Sequence, residues 1–284
     1  VNPTVAELLA ETTGDLVDAL EARREAQILL GHALGVSRAW LAAHIKDPVD
    51  PADAVRFREF VRRRRTGEPV AYLVGSREFY GLQFRVTPDV LIPRADTETL
   101  IDAALEKMTH ARADVLDLGT GSGCVAIALA HERPAAHVTA VDISAAALRI
   151  ARENAAANGV NVQFVQGSWF EGLDGRRFDV IVSNPPYVAA EDSHLRRGDL
   201  RFEPASALAS GPDGLADLRL IIAGAPAYLR EGGWLFFEHG HNQAPVSRDL
   251  LLDAGFRDVI SRSDLAGMSR VAGGRLLTLK SPNR

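Results

Sequence analysis

Apolar positions recur at helical intervals through the first quarter of the chain and in short strand-length runs after it. Thr4 and Glu7 have capping-box spacing and precede Leu8 and Leu9, which predicts a helix start. Across 15–34 the residues Leu16, Leu20, Ile28, Leu29 and Leu30 recur at roughly helical spacing, and Gly35 supplies the stop. Ser37 is placed to cap the next helix. Asp50 followed by Pro51 opens another, because proline is tolerated in a first turn, and 67–69 closes it. No strand alternation occurs before about Arg77. The stretch 77–86, REFYGLQFRV, is then rich in aromatic and β-branched residues around Gly81 and predicts a β-hairpin.

After Pro93 the pattern changes. The runs 115–118, 138–141, 162–165 and 180–182 are short and largely apolar, and helical patterns such as 144–158, stopped by Gly159, separate the earlier ones. A helix near 215–229, a strand at 234–237, a helix to about Ala254 and two strands ending at Leu279 follow. Strands alternating with helices imply right-handed crossovers and a mostly parallel sheet. The expectation is an α/β, doubly wound, Rossmann-like domain of seven strands over 94–284. A small helical domain over 1–75 precedes it, and a hairpin connector spans 76–93.

Composition narrows the class. With 284 residues, 46% hydrophobic and 24% charged, the chain is globular rather than disordered or fibrous. Its net charge of -5 lacks the basic excess of a protein held by phosphates, and the residues before Leu91 carry 13 acidic against 12 basic side chains. A single cysteine, Cys124, forms no internal disulfide and no multi-thiolate metal site, which fits a reducing compartment. No apolar run reaches the ~18 residues of a membrane span, and the amino-terminal stretch lacks the basic-then-apolar order of a secretory signal. The expected location is therefore cytoplasmic, with no membrane association and no bound metal. Arg56, Arg58, Arg62, Arg63, Arg64 and Arg65 form a basic cluster, read either as a solvated face running to a helix end or as a docking patch for an acidic or RNA-bound partner.

Residues 116–123 read LDLGTGSG, directly after a predicted strand and opening a helix. Glycines at 119, 121 and 123 let the backbone turn tightly and present amides to a ligand. A dinucleotide fingerprint, G-x-G-x-x-G, would put a small residue at 124, where Cys124 stands. The loop instead resembles motif I of S-adenosylmethionine-dependent methyltransferases. Asp142 ends the next strand, where an acid can accept both ribose hydroxyls, and Trp169 follows the third strand, where a ring can pack on a base.

Residues 182–187 read VSNPPY at the end of the fourth strand, and the two prolines stop the ladder and stiffen the exit. NPPY resembles the signature of methyltransferases that act on planar, non-basic amino groups. An amide nitrogen shares its lone pair with its carbonyl and is a poor nucleophile. Two acceptors, the side-chain oxygen of Asn184 and the main-chain carbonyl of Pro185, can each take one hydrogen of a terminal NH2. Pro186 holds that carbonyl outward and Tyr187 closes one face of the amide plane with its ring. Fixing both hydrogens turns the nitrogen toward a methyl donor and favours its pyramidal geometry. No general base is obligatory, because an N-methylated amide cation is acidic enough to lose its proton unaided.

Taken together, AYLVGSREFYG (71–81), LIPRADTE (91–98), LDLGTGSG, GSWF, VSNPPY, RFEPASAL (201–208) and FEHG (237–240) closely resemble the bacterial release factor glutamine methyltransferases, the PrmC or HemK family, over essentially the whole chain. The resemblance implies methyl transfer from S-adenosyl-L-methionine, leaving S-adenosyl-L-homocysteine, to the side-chain N5 of the glutamine in the GGQ motif of class 1 peptide chain release factors, which modulates translation termination. It implies that Gly119, Thr120, Gly121, Ser122 and Gly123 hold the methionine part and that Asp142 holds the ribose. Trp169 would lie at the adenine, Asn184 near the cofactor, and Asn184, Pro185, Pro186 and Tyr187 would seat the glutamine. Arg94, Glu98 and Glu203 match family positions without an assigned chemistry; an ion pair bracing the connector is the plain reading. The long loop 188–214 is expected to wall the substrate channel. The glycine-rich VAGGR near Arg275 departs from the family pattern.

The alternative function is a nucleic-acid exocyclic amino methyltransferase acting on adenine, guanine or cytosine. It would share NPPY but would call for a basic groove to manage base flipping, which the near-neutral first domain does not offer. A noncatalytic binding protein on the same fold is disfavoured by the intact NPPY and glycine loop, a nicotinamide oxidoreductase by the glycine spacing, and a porphyrin redox role by the absence of any cofactor motif.

Overall fold

A computed structural model of the chain describes residues 2–12, 19–196 and 198–277. It divides into two compact units, Val1–Ser76 and Arg77–Arg284. The first holds helices α1 (Val5–Ala10), α2 (Ala19–Leu34), α3 (Arg38–Ala43), α4 (Pro51–Arg65) and α5 (Val70–Val74). The local signals act as their chemistry demands. Thr4 and Glu7 form both halves of the capping box, Ser37 Oγ accepts from Trp40 N at 3.1 Å, and Asp50 accepts from Ala52 N at 2.8 Å with Pro51 in the first turn. Leu8, Leu29, Leu30, Leu41 and Phe57 fill the core of this unit. Leu16 lies outside the described residues. Five arginines of α4 are paired within their own unit: Arg56 with Asp53, Arg58 with Glu11, Arg62 with Glu59, Arg63 with Glu68 and Arg64 with Glu25. That pattern favours the solvated-face reading over a docking patch.

The second unit opens with the hairpin β1 (Ser76–Phe79) and β2 (Leu82–Arg85). The hairpin is built into this unit rather than standing apart as a connector. Phe79 and Phe84 are buried in its core, the Tyr80 amide donates to Glu98 at 3.0 Å, and the Asn154 amide bonds both main-chain groups of Arg85. Burying each such phenylalanine contributes roughly 1.5–3 kcal/mol.

There follow α6 (Glu98–Lys107), β3 (Asp114–Leu118), α7 (Cys124–Glu132), β4 (His137–Asp142), α8 (Ala145–Ala157), β5 (Gln163–Gln166) and β6 (Phe178–Ser183). The chain ends through α9 (Ala216–Gly224), β7 (Leu229–Glu238), α10 (Ala244–Asp253), β8 (Phe256–Ser263) and β9 (Ser269–Leu276). The expected last-strand end at Leu279 falls outside the described residues.

The main sheet has seven strands in the order β5-β4-β3-β6-β7-β9-β8. All neighbours are parallel except β9, which runs antiparallel to β7 and β8. Two buried clusters cover its faces, one around Leu100, Ile127 and Phe236, the other around Leu118, Ile221 and Phe237. The VAGGR segment has a packing reason: a Cβ on Gly273 would lie 2.2 Å from the Phe236 ring, and one on Gly274 2.8 Å from Phe256 Cβ. Strand order reverses at β3, so a crevice opens beyond the carboxyl ends of β3, β4 and β6, the position where open α/β sheets bind ligands. No helix among the described residues is long and apolar enough to cross a membrane.

Candidate active site

A cavity of about 480 Å³ occupies that crevice. Gly119, Thr120, Gly121 and Ser122 line it after β3, Asp142 and Ile143 after β4, Gly167 and Trp169 after β5, and Asn184 and Pro186 after β6. The glycine loop turns because residues 119, 121 and 123 all adopt positive φ, at 71°, 55° and 83°. Gly119 also permits a close approach, since a Cβ there would sit 3.3 Å from the Trp169 indole. Gly123 does not line the cavity; a Cβ there would stand 2.9 Å from Ile127 and 3.1 Å from Ala151, so this glycine joins α7 to α8.

Asp142 is held in place before any ligand arrives. One carboxylate oxygen accepts from Gly121 N and the other from Ser144 N, each at 2.8 Å, which leaves a free lone pair on each oxygen. Burial raises its pKa, and those two amides oppose the rise. Asp117, 1% exposed, also lines the cavity and accepts from Thr120 Oγ1 at 2.6 Å. Burial pushes its carboxyl up to about 7. Two acids, a row of main-chain groups and the faces of Ile143 and Trp169 suit a nucleoside that carries a positive charge, and the volume suits a ligand of that size.

At the end of β6, Ser183 Oγ donates to Leu118 O at 2.8 Å and ties the strand end to β3. Asn184 Nδ2 donates to Thr97 Oγ1 at 3.1 Å. Thr97 Oγ1 donates in turn to Glu238 Oε2 at 2.6 Å, and Tyr187 OH donates to Glu238 Oε1 at 3.0 Å. Glu238 ends β7 and is buried, which raises its pKa against the two hydroxyl donors. Burial and this carboxylate keep the Tyr187 phenol protonated. Pro185 and Tyr187 stand outside the cavity lining, whereas Asn184 and Pro186 belong to it.

The loop 188–214 folds into three short 3-10 turns, at Ser193–Arg196, Gly198–Phe202 and Ala205–Ala207. Its ends are drawn together by Val188 N to Leu208 O at 2.9 Å and Ala190 N to Gly211 O at 2.8 Å. Pro204, Ser206 and Ala207 line the cavity. Glu203, its side chain fully buried, pairs with Arg94 and accepts from Ile92 N at 2.9 Å, clasping the loop to 91–94. The bracing ion pair is present, but inside the second unit. Glu98 acts on the hairpin turn through Tyr80. Among the described residues no group of three His, Cys, Asp or Glu converges as a metal site requires.

Sequence reasoning gave no role to Thr97, Asp117 or Glu238. The signal for two of them was present, since Thr97 lies in LIPRADTE and Glu238 in FEHG.

A doubly wound sheet with a glycine loop, an acid ending the next strand and NPPY at the strand beyond define a methyltransferase. Family models described as the methyltransferase small domain and the PrmC N-terminal domain match residues 95–208 and 7–75. The release factor glutamine methyltransferase of Bordetella pertussis is 53% identical over 256 residues, 89% of this chain and 95% of that one. The enzyme of the same description from Xylella fastidiosa is 54% identical over 255 residues, 89% of this chain and 93% of that one. A methyltransferase from Pyrococcus furiosus, 19% identical with a TM-score of 0.51 over 76% of this chain and 98% of that one, shares the fold. The chain belongs to the release factor glutamine methyltransferase family.

Proposed function

We propose that this chain methylates the N5 amide nitrogen of the glutamine in the GGQ motif of class 1 peptide chain release factors, using S-adenosyl-L-methionine and acting in the cytoplasm. The observation that carries the reading is the position of Asn184. It borders the nucleoside-sized cavity and begins NPPY, so donor cavity and amide acceptor share one residue.

When bound, S-adenosyl-L-methionine supplies an electrophilic methyl on a sulfonium and leaves as S-adenosyl-L-homocysteine. The residues Gly119, Thr120, Gly121 and Ser122 would hold its methionine portion, Asp142 the ribose and Trp169 the adenine. Asn184 Oδ1 and the Pro185 carbonyl accept the two amide hydrogens, and Tyr187 packs on the amide plane. The nitrogen lone pair is thereby aimed, and the proton lost after transfer goes to water, since no base is required. The helical residues 1–75 would recognise the release factor, leaving 94–284 to carry the chemistry, with no nucleic acid needed. This division rests on the need of a protein-sized substrate for a larger interface than one cavity provides.

The test is incubation with labelled S-adenosyl-L-methionine and, separately, release factor and nucleic acid, with the label located by mass. Label on the GGQ glutamine is expected. Label on a base, or none on the release factor, would overturn the reading.

A further inference from the structure

We propose that Thr97, backed by Glu238, is the positioning pair that decides which atom of the Asn184 amide faces the substrate. The inference rests on the reading that Asn184 accepts a substrate amide hydrogen, and it goes further by naming what makes it an acceptor.

An asparagine side chain is nearly symmetric in shape but opposite in chemistry at its two ends. Presented by its oxygen, Asn184 takes a hydrogen from the glutamine NH2; presented by its nitrogen, it sets donor against donor and repels it. NPPY itself contains nothing that chooses between the two.

The neighbouring network does choose. Thr97 Oγ1 donates to Glu238 Oε2, 2.6 Å away, and so spends its single hydroxyl proton there. Thr97 Oγ1 is then left with lone pairs alone. The Asn184 atom 3.1 Å from it must be the nitrogen, which turns Oδ1 away from Thr97. Flipping the amide would put three oxygens around one proton and lose a hydrogen bond in a place where Thr97 is 2% exposed. Leaving such a buried group unpaired is unfavourable.

The other carboxylate oxygen accepts from Tyr187 OH at 3.0 Å. One buried side chain thus holds both ends of the motif, Asn184 through Thr97 and Tyr187 directly, with the stiff Pro185–Pro186 step between them. Sheet register supplies the alignment: β6 and β7 are parallel with Ser183 opposite Phe237, so the next residues, Asn184 and Glu238, leave the sheet side by side. Arg270, which bonds Asp96 at 3.1 Å and Asp264 at 3.0 Å, adds positive charge nearby, and Asp96 partly offsets it.

Thr97→Val keeps the shape and removes the hydroxyl, and Thr97→Ser keeps the hydroxyl. With release factor as substrate, Thr97→Val is expected to lower kcat by about 10- to 100-fold, the range an orienting hydrogen bond supports. Its dissociation constant for S-adenosyl-L-homocysteine, measured by calorimetry, stays within about threefold, because the donor cavity is otherwise intact. Thr97→Ser should restore most of the lost kcat. Glu238→Gln, whose NH2 competes for the Thr97 oxygen, should lose at least about fivefold in kcat with the same unchanged affinity. Wild-type kcat in Thr97→Val, a loss in Thr97→Ser as deep as in Thr97→Val, or a parallel fall in cofactor affinity would each overturn the proposal. A failure of the wild-type protein to label the GGQ glutamine is a separate result, which refutes the proposed reaction instead.

Discussion

Asp117 provides a thermodynamic test of how the donor cavity is charged. Its carboxyl is buried beneath the glycine loop and is pushed up to about 7 from an ordinary value of 3.8. Between those two values the folded chain holds a proton that the unfolded chain has already lost. Stability from this group is therefore fully present below pH 4 and is lost as pH rises through 7. A pKa difference of about three corresponds to ~4 kcal/mol, at 1.36 kcal/mol for each pKa step. Asp117→Asn keeps the volume and cannot titrate. Its unfolding free energy relative to wild type, from urea titrations at a series of pH values, should climb from pH 4 to pH 8 by about 3–4 kcal/mol. Losing the carboxyl partner of Thr120 adds a constant offset but no slope. Two curves that stay parallel over that range would show that Asp117 is ionised throughout, and the account of its carboxyl as held protonated by burial would fall with it.

Three further outcomes follow from the same geometry. Because a cationic ligand favours the ionised form of Asp117, S-adenosyl-L-methionine binding at pH 6.5 should release a large part of one proton; a binding heat independent of buffer ionisation enthalpy would contradict this. Asn184→Ala should cut turnover by roughly two to three orders of magnitude while S-adenosyl-L-homocysteine affinity changes by only a few fold, and normal turnover would remove the amide-gripping mechanism. Gly119→Ala combines a φ of 71° with a methyl 3.3 Å from the Trp169 ring, so donor affinity should fall by at least about tenfold with the fold retained; unchanged affinity would show that the indole and loop are not jointly fitted to a ligand.

Much of this architecture is written in short-range patterns. The apolar runs at β3, β4 and β6, the caps at Thr4, Ser37 and Asp50 and the glycines at 119, 121 and 123 each reflect a local constraint, and a local constraint is visible in a linear string. The hairpin was legible for the same reason, around Gly81, but its burial against Asn154, 69 residues away from Arg85, was not. The residues around Asn184 show the same divide. Thr97 and Glu238 lie inside the motifs LIPRADTE and FEHG, yet nothing local marks them out, because they come from elements 87 residues before Asn184 and 51 residues after Tyr187. Only the strand order, which sets β7 beside β6, brings them together. An ion pair at Arg94 was legible, but its closure with Glu203, 109 residues away and inside the second unit, was not, for that reason too.

The paired acceptors at the rim carry a consequence for how often the reaction runs. In the proposed reaction a primary amide would offer two hydrogens to Asn184 Oδ1 and the Pro185 carbonyl, whereas its methylated product would have only one left to give. One oxygen must then go without a partner, and the added carbon has to occupy the space where a hydrogen had been. On the proposed reading, a grip that counts hydrogens in this way would hand the modified side chain back after a single round, and one methyl per glutamine would follow from the binding of the product.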